Sequence, residues 1–171
     1  MTQTLVDPQE TSSTVDDVIQ TLLVSGALRP SSLERARRAS DDSGERLDNV
    51  LRKLGLVSDD QMTSAWAEAT GHRVIAMADF PSAPILADQL RPEYLRHAGV
   101  LPIALGDDRL TIALSDPLDS FSPAAIAAKT GLRVEIVLAR PGELQAMLTR
   151  LYGDVDADDG PEPAPAGALA D

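Results

Sequence analysis

Apolar residues recur at helical spacing up to Gly71 and at strand spacing beyond it, and this change of period divides the chain. Leu47, Val50, Leu51 and Leu54 lie on one helix face, and Gly55 stops the helix where a left-handed residue is needed. Ser58 then caps a second helix. Gln61, three residues on, completes a capping box, Asp59 and Asp60 sit at the positive end of the dipole, and Met62, Ala65, Trp66 and Ala69 form an apolar stripe. Upstream, Thr14 is expected to cap a helix carrying Val15, Val18, Ile19, Leu22 and Leu23 and ended by Gly26. Pro30 opens a further helix with Leu33, Ala36 and Ala39 on one side, closing at Asp41-Asp42-Ser43-Gly44. Leu22, Gly26, Leu28 and Leu33 recur as Leu51, Gly55, Val57 and Met62, so residues 14–71 read as two stacked helical hairpins. Any pair of Gly-stopped hairpins would give a similar pattern, so a true repeat and a coincidence both fit.

After Gly71, residues 73–77 make a short strand candidate, and Pro92 opens a brief helix through Leu95 that Gly99 stops. Residues 100–105 and 109–114 flank the turn Gly106-Asp107-Asp108 as a β-hairpin, with Pro102 marking an edge or a strand start. Ser122-Pro123 is expected to cap a helix ending at Gly131. Residues 132–138 alternate as another strand, and Pro141 opens a last helix with Leu144, Leu148 and Leu151 on one face, ended by Gly153. The predicted class is α+β: a helical hairpin repeat over 14–71, then a small α/β sandwich with a mixed sheet over 72–153. Residues 1–13 are expected to be disordered. Residues 154–171, rich in Asp, Pro and Ala, read as a disordered acidic linker or tail.

Charge narrows the function. The formal net charge is −12, and residues 154–171 contribute six acids and no base, so a nonspecific nucleic-acid footprint is absent. There is no cysteine for disulfides or thiolate metal sites, and no apolar run approaches the roughly 20 residues that span a bilayer. A cytoplasmic protein without direct membrane insertion is the expectation.

Catalytic machinery is hard to find. His72 and His97 have no carboxylate or nucleophile at a telling spacing, and Ser115-Asp116-Pro117 reads as a capping turn. Lys129-Thr130-Gly131 imitates the end of a phosphate loop, but Pro123 and Ala128 occupy the positions that need glycine. The chain is therefore expected to be no enzyme by itself, with no cofactor and no metal. The densest basic patch is Arg29, Arg35, Arg37 and Arg38, beside Leu28 and Leu33. One reading is a solvated helix face partnered by Asp41, Asp42 and Glu45; the other is docking to an acidic protein surface or anionic headgroups.

Residues 43–47 (Ser-Gly-Glu-Arg-Leu) leading into 54–58 (Leu-Gly-Leu-Val-Ser), then 100–103, 110–119, 130–134 and the closing Leu151-Tyr152 resemble, in order, the N-terminal region of type II secretion and type IV pilus assembly ATPases, the general secretion pathway protein E family. The resemblance implies a recruitment module. Its partners would be the cytoplasmic domain of the inner-membrane platform protein, the L component in type II systems, and the motor domains of the same ATPase, with peripheral recruitment to the inner membrane. Leu28, Arg29, Leu33, Arg35, Arg37, Arg38 and Arg46 are the candidate docking residues. The resemblance carries an alternative, because some relatives bind cyclic di-GMP through a basic-Leu-Gly element in the helical repeat; Arg46, Leu47 and Gly55 would then be contacts. Here Asp48 replaces that element's glycine, Val18-Ile19 stand where the first basic-Leu element is expected, and Ser40 and Ala69 replace its terminal glutamines.

Overall fold

The computed structural model describes residues 8–153. The first helix, α1 (Pro8–Val24), begins six residues ahead of the expected Thr14, so residues 8–13 are helical rather than frayed. Pro8 is tolerated at that first position because its missing N–H would have no intrahelical acceptor. Residues 1–7 and the expected acidic tail, 154–171, lie outside the described residues. Then follow α2 (Pro30–Ser43), α3 (Leu47–Lys53) and α4 (Asp59–Thr70). Ser58 caps α4 reciprocally, its Oγ accepting from the Gln61 N–H while Gln61 Oε1 accepts from the Ser58 N–H. Gly44 and Gly71 end their helices at φ of 71° and 73°, where a Cβ would be strained.

The two hairpins stack by crossing. α1 lies along α4, and α2 along α3. The apolar face Val15, Val18, Ile19 and Leu22 of α1 is buried, as are Met62, Ala65 and Trp66 of α4. Each hairpin thus covers the surface the other could not bury, at roughly 1.5–3 kcal/mol for each large side chain removed from water.

The second half is built on β1 (Val100–Leu105), β2 (Arg109–Leu114) and β3 (Arg133–Leu138), with α5 (Pro92–Ala98), α6 (Phe121–Thr130) and α7 (Pro141–Tyr152) around them. Sheet order is β1-β2-β3, with β1 antiparallel and β3 parallel to β2. The parallel pair requires a crossover, which α6 supplies. Pro102 sits on the edge strand, where a missing N–H costs least, and the register slips between Pro102 and Ala104.

Two details differ from the expectation. Residues 73–77 form no strand: Val74 makes a single parallel bridge to Leu138, and a 3-10 turn, Met77–Asp79, ends the extension at once. Asp79 favours the turn because its carboxylate accepts the Ala76 N–H, as a short polar side chain can when it competes with a ladder. Second, Ser122 lies inside α6 and is buried, while Asp119 Oδ1 accepts the N–H groups of Phe121 and Ser122 and so performs the capping. One cluster of buried side chains runs through both halves, from Val15 and Leu51 to Leu114, Leu138 and Leu148.

Candidate docking and ligand site

Arg46 precedes the first turn of α3 and is the most heavily engaged cation in the chain. Its Nε donates to Asp48 Oδ1 at 2.8 Å and its Nη2 to Asp48 Oδ2 at 2.7 Å, the parallel two-bond geometry that suits guanidinium and carboxylate. Nη1 also pairs with Asp116 Oδ2 at 3.1 Å, and the guanidinium carbon lies 6.0 Å from the centre of the Trp66 ring. Asp48 is 2% exposed, so its charge is viable only with this partner. These bonds, led by the one to Asp48, hold the guanidinium more firmly protonated than usual, against the opposing effect of burial.

Asp116 belongs to the turn after β2. Its Oδ1 accepts the Leu118 N–H at 3.0 Å, so Ser115-Asp116-Pro117 forms the expected turn, while the cap of the next helix comes from Asp119 instead. Asp116 has a second role: the Arg46 bond ties the helical half to the sheet half across 70 residues of sequence. Arg140, ahead of α7, makes a second link of this kind to Asp60 on α4, and Asp60 raises its pKa. No sequence spacing pointed to either pairing.

The expected docking residues separate into three groups. Arg29, Arg35, Arg37 and Arg38 are exposed on or just before α2, whereas Leu28 and Leu33 are core residues and present nothing to a partner. Arg46 is drawn into the junction just described. The anticipated acidic partners of the patch are also different: Arg37 pairs with Glu34, and Glu45 pairs with Lys53. Arg29, Arg35 and Arg38 form no ion pair among the described residues. Of the residues tied to the cyclic dinucleotide alternative, Leu47 is half-buried against the core and Gly55 takes φ 64° at the end of α3. Beside them is a polar hollow lined by Glu45, Arg46, Asn49, Arg52, Lys53 and Asp59. Its cations are largely satisfied, Arg52 by Asp59 at 3.0 Å and Lys53 by Glu45 at 2.6 Å. Among the described residues no group of three or more acidic or histidine side chains is placed to hold a metal, and no helix is long and apolar enough to cross a membrane.

The family model of the MshEN domain matches residues 69–158 of the 171. This chain belongs to the MshEN domain family. Its relatives extend the likeness beyond the matched segment. The type II secretion system protein E of Xanthomonas campestris pv. campestris is 27% identical over 143 residues, 80% of this chain and 25% of that protein. Bacteriophage adsorption protein B of Escherichia coli K12 is 28% identical over 133 residues, 78% of this chain and 18% of that protein. The type IV pilus assembly ATPase PilB of Myxococcus xanthus is 23% identical over 122 residues, 71% and 22% of the two chains. The MshEN chain therefore spans a quarter or less of the length of these proteins.

Solved structures agree. The N-terminal domain of XpsE superimposes with a TM-score of 0.70 at 26% identity, covering 82% of this chain and 96% of that one. The structure of MshE with cdg gives a TM-score of 0.63 at 28% identity, covering 79% and 98%. The expected kinship with the N-terminal domains of type II secretion ATPases holds, and so does the α+β class.

Proposed function

We propose that this MshEN chain is a non-catalytic recruitment module of a secretion ATPase, docking the cytoplasmic domain of the inner-membrane platform protein, the L component, and coupling it to motor domains outside this chain. The observation that carries the reading is the division of labour among the arginines. Arg29, Arg35 and Arg38, on or just before α2, stand exposed without ion pairs among the described residues, while Arg46 is already saturated within the fold. Uncompensated cations on a rigid helix suit an acidic protein surface, where complementary charge steers association and fixes register. Such docking would hold the chain at the inner membrane peripherally, with no insertion.

Pull-down and titration calorimetry against the L cytoplasmic domain test this. Reversal of Arg35, Arg37 and Arg38 to Glu is expected to weaken binding by at least about tenfold without changing the fold. Unchanged affinity would remove α2 as the docking face.

Cyclic di-GMP sensing is a second reading, favoured by the likeness to MshE with cdg. The geometry opposes it here. A phosphate approaching Arg46 would have to displace the buried Asp48 carboxylate that already fills the guanidinium fork. Titration calorimetry with cyclic di-GMP is expected to give no saturable heat, and tight binding would replace the docking reading with this one.

A further inference from the structure

The chain carries fifteen Lys and Arg against twenty-seven Asp and Glu, so a cation without a carboxylate beside it is a selective feature. Among the described residues eight of the fifteen are engaged in ion pairs. Arg96 is held by the carbonyl oxygens of Tyr152 and Gly153 at 2.7 and 2.9 Å. Apart from the α2 arginines and Arg150, those that form no ion pair among the described residues are Arg91 and Lys129. These two are far apart in sequence, yet they line one groove.

That groove lies between the start of α5 and the outer face of α6. Leu90, Tyr94, Ala125 and Ile126 line it with Arg91 and Lys129, and its volume is about 400 Å³, room for two or three side chains. Phe121, one turn before Ala125 on the same face of α6, is 75% exposed and extends the apolar surface beside the groove. The lining is apolar and both charges are positive. Among the described residues no carboxylate lines the groove.

We propose that this groove is a second docking surface, separate from α2, and that it takes a peptide segment of a partner protein presenting apolar side chains flanked by carboxylates. The apolar side chains seat against Ala125 and the Tyr94 ring, over a floor of the buried Leu90 and Ile126, with Phe121 extending the contact, and the flanking carboxylates pair with Arg91 and Lys129. The basis for this occupant is charge complementarity. A second copy of this chain, strongly acidic overall, would bring the right sign only where its own carboxylates are free, whereas an acidic peptide brings it with few desolvated pairs.

The test uses the full chain, isotopically labelled, titrated with the synthetic peptide Asp-Glu-Leu-Ile-Asp-Leu-Phe-Glu and with a counterpart in which Lys replaces each acid. Amide shift changes are expected at Leu90, Tyr94, Ala125 and Ile126 with the acidic peptide, and the Arg91→Glu/Lys129→Glu variant should weaken binding by at least about fivefold. The α2 reversal Arg35→Glu/Arg37→Glu/Arg38→Glu should leave this binding unchanged, which separates the groove from the docking reading above. Equal binding of the Lys peptide, shifts confined to residues outside the groove, or no shift at millimolar peptide would overturn the proposal. A variant that fills the groove without touching charge, Ala125→Trp, should also abolish binding; if it binds as before, the groove is not the site.

Discussion

Replacing Arg46 by Met keeps an unbranched side chain of similar reach over Trp66 but removes the guanidinium. Asp48, 2% exposed, would then be a buried carboxylate without its two N–H bonds at 2.8 and 2.7 Å. Removing one partner of a buried pair costs about 3–5 kcal/mol. The other losses are smaller. Asp116, with 45% of its side chain exposed, forfeits at most about 1 kcal/mol, and the contact with the Trp66 ring at 6.0 Å about 0.5–1 kcal/mol. The Asp48 term therefore dominates, and it is a large share of the roughly 5–15 kcal/mol that holds a domain folded. Urea unfolding followed by far-ultraviolet circular dichroism should show the midpoint falling by about 1–5 M at an unchanged slope, taking about 1–3 kcal/mol per molar for the slope. The double variant Arg46→Met/Asp48→Leu should recover most of the loss, because an apolar pair of similar volume avoids the desolvation that the ion pair had to overcome. If Arg46→Met costs under 1 kcal/mol, or the double variant is no more stable than the single, Asp48 does not depend on Arg46 and the account of the junction fails.

Three further outcomes follow from local structure. Ser58→Ala removes the hydroxyl that accepts the Gln61 N–H at 3.2 Å, and thermal unfolding should register a loss of about 1 kcal/mol. Ile112→Ala, at the fully buried centre of the middle strand, should cost about 2–5 kcal/mol, measurable in the same urea titration. Burial raises the Tyr152 pKa above its ordinary value of 10.0, so the folded chain keeps that proton after the unfolded chain has lost it. Its contribution is therefore complete below pH 10 and is lost as pH rises through the higher folded value; Tyr152→Phe should flatten the alkaline side of the stability profile, and an unchanged profile would exclude Tyr152 as a source of that slope.

Much of the fold is legible in local signals. The Ser58 capping box, the Gly44 and Gly71 stops, and the β-hairpin around Gly106-Asp107-Asp108 are each set by residues within a few positions of one another, where side-chain chemistry and backbone preference act directly. Where the reading missed, a competing local bond or a remote partner decided. The Asp79 carboxylate drew residues 77–79 into a turn in place of a strand, and α1 extended back to Pro8 through a polar stretch without apolar period.

The candidate site was less legible. The α2 arginines stand out as a run, and among the described residues Arg29, Arg35 and Arg38 are exposed without ion pairs; Leu28 and Leu33 appeared to flank them only because sequence proximity does not distinguish a helix's two faces until its partner is known. Asp48 reads in sequence as a polar helix residue and in the fold as the buried counter-ion of Arg46. Likewise, nothing in the spacing joins Arg46 to Asp116, Arg140 to Asp60, or Arg91 to Lys129. The sequence alone determined most of the helices and strands, where most of them stop, and the net acidity against which a few unpaired cations are meaningful. Only the tertiary structure decided which charges are neutralised and which are left for a partner. That outcome depends on distances across 70 and 80 residues, set by packing the two halves onto one core, and short-range pattern carries no information about them.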